Sequence, residues 1–316
     1  MTRVAAVDLG TNSTRLLVAD VADGRVEELH RETRITRLGE GVDERHKLLP
    51  LPIARVRNAL ADFRRTLESL GAERVLAIGT SAVRDAENGE AFLGEVEWSY
   101  GFATRLLSGG DEASLTFRGV TAGRNLVPGT VVVDLGGGST ELIEGERHVS
   151  LDIGSVRLTE RHLPSDPPTA DELEQCARAI RAELGEGVPD ELRRGVRSAV
   201  GVAGTITSLA GLDLALEEYD PDLVQGHVLG RNSVRRELAR LASLPLAERR
   251  RLKPLDPERA PVIVAGALIV RELLDYFGLE RLEVSERDLL DGIALEAAEL
   301  PEPEEGAAPP GAYTCC

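Results

Sequence analysis

Two short segments carry the residues best suited to chemistry. Asp8-Leu-Gly-Thr-Asn-Ser-Thr-Arg-Leu-Leu17 and Asp134-Leu-Gly-Gly-Gly-Ser-Thr-Glu-Leu-Ile143 agree at six of ten positions and lie 126 residues apart. Each follows an apolar run and precedes another, Val4–Val7 and Leu16–Ala19 in the first copy, Val131–Val133 and Leu142–Ile143 in the second. The spacing is that of a strand–turn–strand loop, not of a dinucleotide fingerprint or a Walker loop, both of which open a helix. Gly136, Gly137 and Gly138 let a backbone approach an anion closely, successive N–H groups can form an anion nest, and Ser139 and Thr140 add hydroxyls. A single copy reads equally as a glycine-rich hairpin turn. Two copies, each with an aspartate closing the incoming strand, point to phosphate binding.

The eighth position of the repeat differs: Arg15 in the first copy, Glu141 in the second. That gives one cationic and one acidic wall, and Asp134 with Glu141 can hold Mg²⁺, a hard ion that prefers carboxylate, water and phosphate oxygens. Position alone reads Arg15 and Glu141 as solvated strand residues. Three further segments are ambivalent. Ser108-Gly-Gly-Asp-Glu-Ala113 follows a strand-like Thr104–Leu107 and opens a helix, so Asp111 and Glu112 read first as acids complementing the helix N-terminus. Thr80-Ser-Ala-Val-Arg-Asp-Ala86 reads as a strand-to-helix transition with a capping serine and an exposed Arg84. In Val200–Ala210, Gly201, Gly204 and Thr205 can meet a phosphate or an adenosine-like group, or merely allow close strand–helix packing.

The elements that must position these residues alternate. Apolar spacing predicts helices over 51–70, ended by Gly71, over 169–184, opened by a Thr169/Glu172 capping box, and over 232–244 and 257–277. Strands are predicted at Val4–Asp8, Leu16–Val21, Arg74–Gly79, Thr130–Asp134, Glu141–Glu144 and Ser198–Val202. Such alternation argues for an α/β protein. A repeat distance of one domain's length argues for two similar domains facing each other across a cleft, with a boundary near Leu126–Gly129. Residues 1–125 form the first domain and 126–300 the second, although the last helix can pack back onto the first. Residues 301–316, rich in Pro, Glu, Gly and Ala, read as a disordered tail.

Composition narrows the partners. The 316 residues carry a formal net charge of −17, which argues against nucleic acid. Backbone N–H groups and a metal can still hold a polyanion. Aromatics are only 3%, so the core is aliphatic, and no apolar run is long enough to span a membrane. The N-terminus lacks signal-peptide order. Cys176, Cys315 and Cys316 form no metal-spaced set or disulfide framework, in keeping with a reducing cytoplasm. The bias to Arg over Lys, with only Lys47 and Lys253 present, reads as a GC-rich coding sequence.

On the blocks Asp8–Leu17, Thr80–Ala86, Ser108–Phe117, Asp134–Leu142, Gly154–Glu160, Val200–Leu209, Arg259–Val270 and Ser285–Leu295, the chain resembles the exopolyphosphatase/guanosine pentaphosphate phosphohydrolase family. That family lies in the superfamily of sugar kinases, actin and heat-shock chaperone ATPases. The resemblance implies two actin-like (ribonuclease H-like) domains and Mg²⁺. It makes Glu112 the carboxylate that activates the attacking water and Arg84 a contact to substrate phosphate. Asp134 and Glu141 become the acids of the metal and phosphate site, and Asn12, Ser13, Gly136, Gly137, Gly138 and Ser139 phosphate-loop positions. These roles replace the plainer readings of Glu112, Arg84 and Glu141. The family often has Glu-Glu where this chain has Asp111-Glu112. Longer members add a C-terminal helical domain that this chain is expected to lack.

The expected activity is therefore bacterial and cytoplasmic: Mg²⁺-dependent removal of the terminal phosphate of inorganic polyphosphate, or of the 5′ γ-phosphate of guanosine pentaphosphate. A nucleotide-gated actin-like regulator or kinase is the alternative of another class, and a water-activating Glu112 speaks against it. A homodimer is compatible with the sequence. A basic track for long substrates would have to come from Arg231, Arg235, Arg236, Arg240 and the run Arg249–Lys253, which read equally as a solvated surface. Distributive action on short polyphosphates is the expectation.

Overall fold

In the first strand, β1 (Thr2–Leu9), alternate side chains feed two different cores, and this sets the layering of the N-terminal half. Ala5, Val7 and Leu9 join one apolar cluster, Val4 and Ala6 another, as the two-residue period of a strand covered on both faces requires. A computed structural model describes residues 1–301. The predicted tail, from residue 302, and with it Cys315 and Cys316, lies outside the described residues. The chain divides into two compact units, one of Met1–Asn125 with the segment from Leu289, the other Leu126–Asp288.

The first unit runs β1, β2 (Ser13–Ala22), β3 (Arg25–Ile35), α1 (Val42–Arg45), α2 (Pro50–Ser69), β4 (Arg74–Gly79), α3 (Ser81–Arg84), α4 (Gly89–Tyr100), β5 (Ala103–Leu106) and α5 (Gly109–Thr121). Its sheet has the order β3-β2-β1-β4-β5, with antiparallel β1–β2–β3 and parallel β4 and β5. Helix α2 starts at a proline suited to the first turn and lays Val56, Leu60, Phe63 and Leu67 on one core. It ends where Gly71 takes a left-handed φ of 72°, as its position predicts.

The second unit repeats the plan: β6 (Thr130–Leu135), β7 (Thr140–Glu144), β8 (Arg147–Leu151), α6 (Ser155–His162), α7 (Ala170–Gly187), α8 (Asp190–Gly195), β9 (Ser198–Val202), α9 (Gly204–Asp213), α10 (Pro221–Val224), β10 (Val228–Gly230), α11 (Arg231–Ser243), α12 (Leu246–Arg249), α13 (Ile263–Phe277) and β11 (Arg281–Val284). Its sheet order is β10-β11-β9-β6-β7-β8, with β6–β7–β8 again an antiparallel meander. The Thr169/Glu172 capping box is present, with both reciprocal bonds made. Helix α13 is buried nearly all round, as its apolar sequence requires, but begins at Ile263, since turns occupy 257–262.

The last helix, α14 (Leu289–Ala297), lies outside the second unit and takes the alternative left open for it in the sequence, packing back onto the first. It belongs to the first unit, where Leu289, Leu290, Ile293, Ala294 and Ala297 complete the cluster of Val4, Ala6, Leu107 and Leu115. Gly292 is needed there: a Cβ would stand 2.0 Å from the Leu115 carbonyl oxygen. Among the described residues, no helix is long and apolar enough to cross a membrane.

Candidate functional site

The two repeated segments form the same hairpin. In the first unit β1 and β2 pair down to Leu9 opposite Thr14, and in the second β6 and β7 pair down to Leu135 opposite Thr140. Four residues separate the last paired positions of each hairpin, and each turn is closed by one bond: the Gly10 N–H donates to the Ser13 carbonyl and the Gly136 N–H to the Ser139 carbonyl, both at 3.0 Å. The duplication seen in sequence is thus a duplication of geometry. Asn12 is buried, and its Nδ2 has no hydrogen-bond partner among the described residues. Ser139 is buried at the mouth of β7. Gly137, Gly138 and Ser139 direct no N–H into a backbone bond among the described residues. Unused donors clustered on a glycine-rich turn are the makings of an anion nest.

The eighth repeat position lies in register with the aspartate in both copies, so the paired side chains emerge on one face of the sheet. In the first unit the pair is Asp8 and Arg15, and Arg15 Nε and Nη2 both lie 2.8 Å from Asp8 Oδ2. The cationic wall expected there is balanced by its neighbouring carboxylate. In the second unit the pair is Asp134 and Glu141, and both carboxylates are buried. Ser150 of β8, opposite Glu141, donates its hydroxyl to Oε1 at 2.8 Å. Sequence reasoning missed Ser150 because an exposed edge strand such as Arg147–Leu151 carries no apolar signal.

Two buried carboxylates side by side disfavour each other's charge unless a cation is shared. Among the described residues no three His, Cys, Asp or Glu side chains gather into a closed metal cage. A two-carboxylate set suits Mg²⁺, which keeps water and substrate oxygens in its shell, better than a metal held wholly by protein. Asp134 and Glu141 would hold it.

Glu112 and Arg84 come together in the first unit. Ser108 caps α5 by accepting from the Asp111 N–H, and Asp111 Oδ2 accepts from the Ser108 N–H and hydroxyl. These bonds hold the Asp111 carboxyl below its usual range, chiefly through the Ser108 hydroxyl. The helix-capping role expected of both acids therefore falls to Asp111. Glu112 turns instead into the fold, 7% exposed, with Oε2 3.2 Å from Arg84 Nη1. Arg84 also donates to the Leu107 carbonyl at 2.9 Å, so it is a held group and not an exposed one. Ser81 makes no cap: α3 is preceded by Thr80 without a side-chain cap bond.

Six residues of the candidate basic track are paired with nearby acids, while Arg250 and Arg251 are exposed. Arg231 pairs with Asp275 and Glu280, Arg235 with Asp275, Arg236 with Asp213 and Glu237, Arg240 with Glu237, Arg249 with Asp166 and Lys253 with Glu217. These residues tie α11 and the following turns to neighbouring helices. Gly201 and Gly204 serve packing: a Cβ on Gly201 would meet Ile206 at 2.7 Å, and one on Gly204 would meet the Arg259 guanidinium at 2.1 Å.

Comparison with known proteins bears on the fold and the family. The Ppx/GppA phosphatase family model matches residues 17–300. Exopolyphosphatase 2 of Mycobacterium tuberculosis is 43% identical, over 94% of this chain and 99% of its own. Guanosine-5′-triphosphate,3′-diphosphate pyrophosphatase of Vibrio cholerae is 28% identical over 92% of this chain and 58% of its own. Among solved structures, the Aquifex aeolicus Ppx/GppA family member superposes with a TM-score of 0.78 at 32% identity, over 94% of this chain and 98% of that one. The fold, the duplicated loops and these matches lead to one conclusion: the chain belongs to the Ppx/GppA phosphatase family.

Proposed function

We propose that this protein is a Mg²⁺-dependent exopolyphosphatase of a bacterial cytoplasm, releasing orthophosphate from the end of inorganic polyphosphate. The observation that carries the reading is 43% identity to a protein named exopolyphosphatase 2 along 99% of that protein. The site chemistry supports it. In the second unit the Gly136–Ser139 loop offers backbone donors to a phosphate; in the first unit Asn12, Ser13, Arg15 and Arg84 are donors suited to phosphate oxygens. Glu112 accepts a proton from water as the water oxygen bonds to phosphorus and the bridging P–O bond breaks. Such a reaction needs mainly positioning and charge neutralisation. Mg²⁺ at Asp134 and Glu141 would supply neutralisation of the phosphate oxygens.

A second reading, hydrolysis of guanosine pentaphosphate to the tetraphosphate, is favoured by the Vibrio cholerae relative, of which this chain spans 58%. The experiment is phosphate release measured side by side from polyphosphates of several lengths, guanosine pentaphosphate and ATP, with and without Mg²⁺. Polyphosphate should give the highest kcat/KM. Preference for guanosine pentaphosphate would install the second reading, and turnover of ATP alone would overturn both.

A further inference from the structure

The two phosphate loops are held from behind in the same way, although the sequences that hold them differ. In the first unit the Gly39 N–H donates to the Thr11 carbonyl at 2.8 Å, and the Thr36 and Arg37 N–H groups donate to the Asn12 carbonyl at 3.1 and 2.9 Å. In the second unit the Val156 and Arg157 N–H groups donate to the Gly137 carbonyl at 2.8 and 3.1 Å. The Ser155 N–H takes the Gly136 carbonyl at 3.1 Å. Thr11 and Gly137 are equivalent in the repeat, as are Asn12 and Gly138. Each pair of loop carbonyls is therefore engaged by the segment after the third strand of its meander, β3 or β8. The match extends to the loop-closing threonines. Thr14 Oγ1 bonds Thr36 Oγ1 at 2.9 Å, and Thr140 Oγ1 donates to the Ile153 carbonyl at 2.5 Å.

The donors are distributed differently, and one difference involves a side chain. The third loop carbonyl, served by two backbone N–H groups in the first unit, is served in the second by a side chain: Arg157 Nε donates to Gly138 O at 2.7 Å. Gly154 allows the approach, since a Cβ there would stand 2.3 Å from the Gly137 oxygen and 2.5 Å from the Gly138 carbonyl carbon.

We infer that Arg157 and Gly154 are positioning residues for phosphate recognition. A peptide unit has its C=O and N–H on opposite sides, so fixing the Gly137 and Gly138 carbonyls toward α6 turns the N–H groups of Gly138 and Ser139 to the other face, where an anion is met. Glycines alone would leave those peptides free to flip. Without the Arg157 side-chain bond the Gly138–Ser139 peptide must be ordered when the anion binds, which weakens affinity. This inference rests on the phosphate-hydrolase reading for its ligand, but its test does not need turnover.

The test monitors the amide resonances of Gly137, Gly138 and Ser139 by ¹⁵N–¹H spectroscopy as inorganic phosphate is added. It compares wild type, Arg157→Met, Arg157→Lys and Gly154→Ala, with Tm measured for each and kcat and KM for a short polyphosphate. In wild type these three amides should shift. Arg157→Met should keep its Tm within a few degrees and weaken phosphate binding about tenfold, the scale of one lost charge-assisted hydrogen bond. KM should rise more than kcat falls, and Arg157→Lys, still able to donate to Gly138 O, should recover part of the loss. Gly154→Ala should move the same amides before phosphate is added. Unshifted loop amides in wild type, or wild-type phosphate affinity in folded Arg157→Met, would overturn the inference. A wild-type protein that binds phosphate through these amides yet hydrolyses no phosphoanhydride would overturn the functional reading and leave the clamp standing.

Discussion

Arg84 Nη1 lies 3.2 Å from Glu112 Oε2 and 2.9 Å from the Leu107 carbonyl oxygen, so one guanidinium fixes the carboxylate to the backbone at the end of β5. Two blocks far apart in sequence thus form one unit of chemistry. Glu112→Gln keeps the size of the side chain and removes its basicity. It should lower kcat by roughly 10²–10⁴, the scale of a general base, with Tm and KM little changed. Near-normal turnover in a folded Glu112→Gln protein would remove this residue from the reaction. Both bonds leave the same nitrogen, Nη1, and Arg84→Met, which removes that donor and its charge, should lower kcat as well.

The paired carboxylates of β6 and β7 make a metal prediction. EDTA should abolish phosphate release and Mg²⁺ restore it. Glu141→Ala should shift the Mg²⁺ dependence to higher concentration with the plateau rate less affected. Ser150→Ala, which removes the hydroxyl donated to Glu141, should shift it in the same direction but by less. Full activity in metal-free buffer would end the proposal.

Local pairing of the α11 arginines bears on long substrates. A polyphosphate chain extending from the loops gains little from Arg235 or Arg240, each already matched by an acid. Arg235→Ala and Arg240→Ala should change KM for a long polyphosphate by less than about twofold, as expected of exposed, screened charges. On a gel, a uniform long polyphosphate should shorten gradually across all molecules, which is distributive action. Full-length material beside free phosphate, with no intermediates, would show processive action.

Cys176 provides a pH test of the second unit's core. Burial pushes its thiol up to about 12 from an ordinary value of 9.0. The folded state then holds a proton that the unfolded chain releases earlier. The stability it contributes is complete below about pH 9 and is lost as pH rises through the folded value. In a protein with Cys315 and Cys316 replaced by serine, an aromatic disulfide reagent at pH 8 should find no reactive thiol until denaturant is added. Cys176→Ser should flatten the fall of Tm above pH 9. Rapid reaction of the native thiol would show that α7 opens.

Much of the fold is legible in the sequence where burial is two-sided or a cap has a signature. Val4–Asp8 and Thr130–Asp134 read as strands because both of their faces are covered, and Thr169 with Glu172 announces a helix start. The third strands are not legible. Arg25–Ile35 and Arg147–Leu151 sit beyond β2 and β7, with charged residues on exposed positions and no apolar alternation. Missing them hides Ser150 and the clamp behind each loop, because those depend on β8 itself and on the segments joined to the ends of β3 and β8. The repeat at Asp8 and Asp134 is plain because its chemistry is in side chains and glycines. The repeated hold on the loop carbonyls, from Thr36, Arg37 and Gly39 and from Ser155, Val156 and Arg157, is faint because backbone N–H groups do most of the holding, and nearly any residue supplies one. Roles within the acidic pair at Asp111 and Glu112 cannot be divided by spacing. They separate only when the Ser108 cap takes one acid and Arg84 the other.

The return of α14 to the first unit orders the assembly of the chain during synthesis. Residues 126–288 are continuous and can close their core as soon as they leave the ribosome. The sheet of β1, β2, β4 and β5 cannot, since its face of Val4, Ala6, Leu17 and Ile78 is covered in part by Leu290, Ile293 and Ala294. The half that is made first is finished last. For the time needed to add the intervening 163 residues between Asn125 and Leu289, that aliphatic face stays open to other chains and to chaperones.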